Sequence, residues 1–122
     1  MKPSSFDLLV IFTQPPLSAT SAKEALDVAL VSATFDQTTA LVFVAEGVLQ
    51  LVKDQQPDEL RLKGIQAMLK ALPLYDLDQV FVQQEALTRY GLESSDLLLP
   101  VKVLNSSDLQ QIMACSRNLL SF

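Results

Sequence analysis

Few side chains in this sequence could act as nucleophiles, bases or metal ligands, and their spacing narrows the field further. Cysteine occurs once, at Cys115, which excludes an intramolecular disulfide and any Cys-x-x-Cys site. Histidine is absent, so histidine acid–base chemistry and histidine metal ligation are both excluded. Cys115 falls late in what reads as the last helix, away from the helix N-terminus that activates thiols, with Arg117 as its near cation. That position favours a buried structural thiol; a sulfur carrier in its own right is the alternative. The serines have no histidine base, and only lysine-based pairs stay open to them.

Glu46 closes an apolar run and could serve as a general acid or base or hold magnesium. A metal site wants a second carboxylate, and the candidates, Asp7 and Asp76, are distant in the chain. A carboxylate accepting backbone hydrogen bonds at a turn is the plainer reading. The loop over residues 13–20 takes the place of a phosphate cradle, but it lacks glycine and contains Pro15 and Pro16, which have no amide to donate. Hydroxyls at Ser18, Thr20 and Ser21 leave weak anion or small-ligand binding as an alternative to capping. The residues themselves therefore name no catalytic group, no cofactor and no metal set.

The elements that must position these groups alternate strand with helix. The chain is organised around residues 40–51, an apolar strand covered on both faces that runs into Glu46 and Gly47 and then a second apolar cluster. In open α/β sheets the carboxyl ends of the strands carry function. Val48, Leu49 and Leu51 put apolar side chains at that rim, where polar ones are usual. Before this run come a strand over Phe6–Phe12 and a helix opened by the capping box Ser21-Ala22-Lys23-Glu24. Ala22, Ala25, Leu26, Ala29, Leu30 and Ala33 form the helix's buried stripe. Val28, Val31 and Phe35 lie off it, which predicts a helix covered by more than one neighbour.

After a loop over 50–56, Pro57 opens a second helix with Asp58 and Glu59 at its positive end. Leu62, Ile65, Met68, Leu69 and Leu72 form its stripe, and Pro73 stops it. Strands follow over 79–83, 101–104 and 118–122, with a short helix over 85–90 closed by Gly91. A last helix is opened by a second capping box at Ser107 and runs through Ile112 and Met113. This predicts one three-layer α/β/α domain over residues 1–122, of Rossmann or flavodoxin type, with about five mostly parallel strands.

Composition agrees. A chain of 122 residues that is 49% hydrophobic, with mean hydropathy +0.28, can bury a sizeable core in one domain. No apolar run approaches the roughly 18 residues of a membrane span, so surplus apolar area is expected in the core or in subunit contacts. The net charge is −5, and nine basic residues stand scattered against fourteen acidic ones, which argues against direct nucleic-acid contact. The amino terminus has no signal-peptide architecture, which predicts a cytoplasmic protein.

Four segments in order, Glu46-Gly47-Val48-Leu49-Gln50-Leu51, Gln56-Pro57-Asp58, Leu72-Pro73-Leu74-Tyr75-Asp76-Leu77-Asp78-Gln79 and Leu87-Thr88-Arg89-Tyr90-Gly91, resemble the TusC (DsrF) branch of the DsrE/F/H family. The similarity extends over residues 6–122 and also places residues 21–27 on that family's first helix. The resemblance implies a subunit of a sulfur-relay assembly, a heterohexamer shared with TusB-like and TusD-like paralogues, which passes persulfide sulfur toward 2-thiouridine at the tRNA wobble position. A DsrE/F/H version works instead in sulfur oxidation. It also implies that the carrier cysteine belongs to the TusD-like subunit, at the position of Gln83 here. An amide cannot form a persulfide, so this chain would be a non-catalytic subunit. The family tends to carry glycine where this chain has Ser18, Ala22 and Ala25. The apolar rim then reads as an interface comprising Glu46, Gly47, Val48, Leu49 and Leu51, together with Leu74 and Tyr75, with self-association possible when the chain is isolated.

Overall fold

A computed structural model describes residues 6–15, 21–52 and 60–122, giving only the backbone for 21–22 and 60–65. Strands β1 (Leu8–Phe12), β2 (Thr39–Phe43), β3 (Val80–Gln83), β4 (Lys102–Leu104) and β5 (Asn118–Ser121) form one sheet in the order β4-β3-β2-β1-β5. Every pairing is parallel, so the sheet is wholly rather than mostly parallel. Helices α1 (Ser21–Thr34), α2 (Leu60–Ala71), α3 (Gln84–Arg89) and α4 (Ser106–Cys115) supply the crossovers.

The order fixes the layers. From β1 to β4 each crossover steps the same way along the sheet, and right-handed connections must then put α1, α2 and α3 on one face. The step from β4 back to β5 reverses direction and throws α4 onto the other. Two cores follow. Leu8, Val10, Phe12, Leu41, Phe43, Val80 and Val82 pack with Ala25, Leu26, Ala29, Leu69, Leu72 and Leu87 on the first face. Leu9, Ile11, Ala40, Val42 and Phe81 meet Leu109 and Ile112 of α4 on the second. β1 and β2 are buried along their full length because both faces are covered.

The apolar run over 40–51 is not one strand. β2 ends at Phe43, and Ala45–Leu51 winds into a 3₁₀ helix that buries Val48 and Leu51 completely. A second 3₁₀ turn, Leu72–Tyr75, ends α2 with Pro73 inside it. Asn105, not Ser107, caps α4: its Oδ1 accepts the Asp108 N–H at 2.8 Å, so the helix starts before the expected box. Pro57, Asp58 and Glu59 lie outside the described residues, as do the side chains of Ser21, Leu62 and Ile65. Among the described residues no helix is long and apolar enough to cross a membrane.

Val31 and Phe35 are 55% and 75% exposed. β5 is exposed, and a groove of about 430 Å³ opens between the start of β1 and α1, lined by Leu8, Val28, Val31 and Phe35. α2 and the Leu72–Tyr75 turn join the sheet in covering α1, as its second apolar face predicted, but the flank carrying Val31 and Phe35 stays open.

Leu51 is sealed in the core, so Leu51→Asp strands a carboxylate without water or a partner. The substitution should cost at least about 4 kcal/mol and abolish the cooperative urea transition seen by circular dichroism.

Candidate functional site

The site the fold offers is the carboxyl edge of the sheet, where β1, β2 and β3 end and the 3₁₀ helix crosses them. Register partners Phe12 and Phe43 stack at 4.3 Å and 12° to form its apolar floor. The Phe12 carbonyl accepts the Val44 N–H at 3.0 Å, and Gly47 lies directly over that same carbonyl. A Cβ on Gly47 would overlap the Phe12 oxygen and carbon. Only hydrogen fits there.

To enter this helix the chain must turn at once after β2, and Ala45 takes a left-handed backbone, φ 49°, which is costly for a residue with a Cβ. Gln83, at the end of β3, meets that turn: its Oε1 accepts the Ala45 N–H at 2.9 Å. Gln50 is buried, and its Nε2 donates to the Gln14 carbonyl at 2.9 Å, tying the helix to the loop after β1. The Leu51 carbonyl accepts the Leu98 N–H at 2.7 Å, and Ser106 donates to Glu85 at 2.7 Å between the starts of α4 and α3. The rim is thus stitched by backbone, amide and hydroxyl–carboxylate hydrogen bonds from one strand end to the next.

What it lacks around the ends of β2, β3 and β4 is a thiol or a cation. Segments 44–52, 83–85 and 104–108 contain no cysteine, lysine or arginine. Glu46 is exposed there, but Asp7 and Asp76 lie at the opposite, amino edge, so neither pairs with it. Among the described residues no cluster could hold a metal ion.

Cys115 is also at the far edge. It is exposed, which corrects the expectation of a buried thiol. Leu109 and Ile112 take up the face of α4 that meets the sheet, and Cys115 falls in the final turn, where the Arg117 N–H already bonds the Phe6 carbonyl below β1. The ten residues of α4 carry the chain about 15 Å from the rim to that edge.

The expected interface residues also divide. Val48 and Leu51 are enclosed by their own domain, Gly47 is buried against β1, and Leu49 is half-buried beside exposed Glu46. Leu74 and Tyr75, 85% and 51% exposed, project at the amino edge, where Tyr75 shares a pocket with Phe6, Thr38 and Gln79. Ser18 and Thr20 lie outside the described residues. Sequence reasoning missed Ala45 and Gln50; an amide three residues past a glycine in an apolar run was the available signal for Gln50, and none marks Ala45.

Fold and rim together define a DsrE-type α/β domain without a thiol at its carboxyl edge. Residues 7–122 match the DsrE/DsrF-like family, and the chain belongs to it. Within that family it is similar to the protein named Protein TusC homolog of Pseudomonas aeruginosa, 38% identical over 109 residues, 89% of this chain and 92% of that one. It is likewise similar to the Protein TusC homolog of Vibrio vulnificus, 36% identical over 115 residues, 94% and 98% of the two chains. The crystal structure of the ychN protein from E. coli superposes with a TM-score of 0.80 at 18% identity over the whole of both chains, and so shares the fold.

Three substitutions test the rim. Gly47→Ala should lower stability by about 3 kcal/mol in urea unfolding, since backbone must move to admit a methyl group. Gln83→Ala should cost roughly 0.5–1 kcal/mol, whereas Ala45→Gly should gain about 0.5 kcal/mol by relieving the left-handed turn.

Proposed function

We propose that this chain is a non-catalytic subunit of a TusBCD-type sulfur-relay complex, working in the cytoplasm beside TusB-like and TusD-like paralogues and supporting persulfide transfer toward wobble 2-thiouridine. The observation that carries this reading is Gln83. The resemblance puts the carrier cysteine of the relay at this position, and here a glutamine is hydrogen-bonded into a rim with no other sulfur. The rim of a carrier must present a thiolate. This one presents amides and carboxylates.

Leu49 and Glu46 at the carboxyl edge and Leu74 and Tyr75 at the amino edge are the interface residues with area to offer. Two separated contacts suit a subunit that meets two different neighbours. Val48, Leu51 and Gly47 act in this reading by shaping the rim from inside.

Exposure of Cys115 favours a second reading, in which it carries sulfur itself at the other edge. Co-expression with both paralogues, followed by exposure to a cysteine desulfurase and radiolabelled cysteine, separates the two. Label should appear on a partner and not on this chain; reducible label on Cys115 that passes to an acceptor rejects the subunit reading. Leu74→Asp combined with Tyr75→Asp should weaken assembly at least about tenfold in native mass spectrometry, with the isolated domain's thermal unfolding unchanged because both side chains are exposed.

A further inference from the structure

The two edges of the sheet are treated differently. At β4 the strand carries Lys102, whose Nζ sits 5.8 Å over the Phe81 ring and bonds Gln79, and Pro100 precedes it. Lysine and proline are common guards against strand addition. β5, Asn118-Leu119-Leu120-Ser121, has neither. It is exposed along its whole length and apolar on both faces. Leu120 pairs with Val10 and so lies on the α1 face; Leu119 pairs with Leu9 and lies on the α4 face. They are 41% and 45% exposed.

The backbone has a definite pattern as well. The Phe122 N–H bonds the Ile11 carbonyl, and the Phe122 carbonyl accepts the Thr13 N–H, so the even-numbered residues here face β1. By alternation the N–H and C=O groups of Leu119 and Ser121 point outward, away from the sheet. Charge does not oppose contact. The chain carries −5, but the ion pairs among the described residues flank this edge: Lys23 with Asp27, which lines the groove beside α1, and Arg117 with Asp7 below β5. The strand and the described groove around it are therefore locally neutral.

We propose that β5 pairs antiparallel with β5 of a second copy of this chain, about a two-fold axis normal to the sheet. The outward groups dictate the register. Leu119 exchanges two hydrogen bonds with Ser121 of the second copy, and Ser121 does the same with its Leu119. Leu120 sits on the axis facing Leu120 of the second copy. This set is self-complementary, as an isologous contact requires. The rotation keeps each helical layer on its own side and joins two sheets into one. The contact goes beyond the relay reading and does not depend on it.

Oxidative cross-linking of the full chain tests the register. In a Cys115→Ser background, Leu120→Cys should form a disulfide-linked dimer that reductant reverses, because directly opposed residues of this kind approach to about 4.5 Å between Cα atoms, within disulfide range. Leu119→Cys, opposite a serine, should not. Light scattering of the unmodified chain should reach twice 13.4 kDa as concentration rises. Leu120→Lys should raise the dimer Kd about a hundredfold by setting like charges face to face, with thermal unfolding unchanged. A chain that stays monomeric at every concentration overturns the proposal. So do equal cross-linking by Leu119→Cys, and capture of Cys at position 120 by a co-expressed paralogue in place of a second copy.

Discussion

The structure depends on one close approach, that of Gly47 to the Phe12 carbonyl. Because no Cβ intervenes, the 3₁₀ helix over Ala45–Leu51 lies directly on the end of β1 and drops Val48 and Leu51 onto the stacked rings of Phe12 and Phe43. A helix held one methyl group further away would leave those rings facing solvent. The left-handed turn at Ala45 follows from the same constraint, since the chain has only Val44 between the end of β2 and the beginning of the helix. Gln83 and Gln50 then secure the two ends of what the close approach has placed.

That arrangement bears on function through what it leaves no room for. Among the described residues, the carboxyl edge, where parallel sheets usually place chemistry, is occupied by a packed apolar helix and tied by hydrogen bonds involving Gln83, Gln50 and Ser106. A reactive thiolate in such a position would need a neighbouring cation or exposed helix amides to stabilise its charge, and residues 44–52, 83–85 and 104–108 offer no cation. The one thiol stands at the opposite edge, separated by the length of α4. A domain built this way is suited to contact, and its exposed large apolar side chains lie at the amino edge, beside α1 and at the two outer strands.

The uneven distribution of helices explains why those surfaces exist. Three helices share one face and are spread over β1 to β4, and the strand on the far side of β1 is exposed along its length. Topology alone thus leaves β5 and the flank of α1 open. Lys102 protects β4, and no equivalent protects β5.

The sequence by itself determined the order of the five strands and four α-helices, but not the 3₁₀ helices over Ala45–Leu51 and Leu72–Tyr75. Apolar runs such as Leu8–Phe12 and Val80–Val82 are too continuous for a half-exposed strand, and alternation of such runs with helical stripes leaves little besides a parallel sheet. It also excluded histidine chemistry and an intramolecular disulfide, because the counts of histidine and cysteine are facts of composition. Only the tertiary structure decided where the apolar rim residues go. Val48 and Leu51 have the same local pattern whether they face a partner or a core, and the difference rests on a contact between residues 12 and 47 that no local signal encodes. The split of Leu49 from Leu74 and Tyr75, on opposite edges, is likewise invisible in one dimension, since α2 carries the chain across the sheet between them. Cys115 shows the limit most simply: helical spacing after Leu109 and Ile112 predicts burial, and exposure follows because the helix reaches the sheet's edge in its final turn.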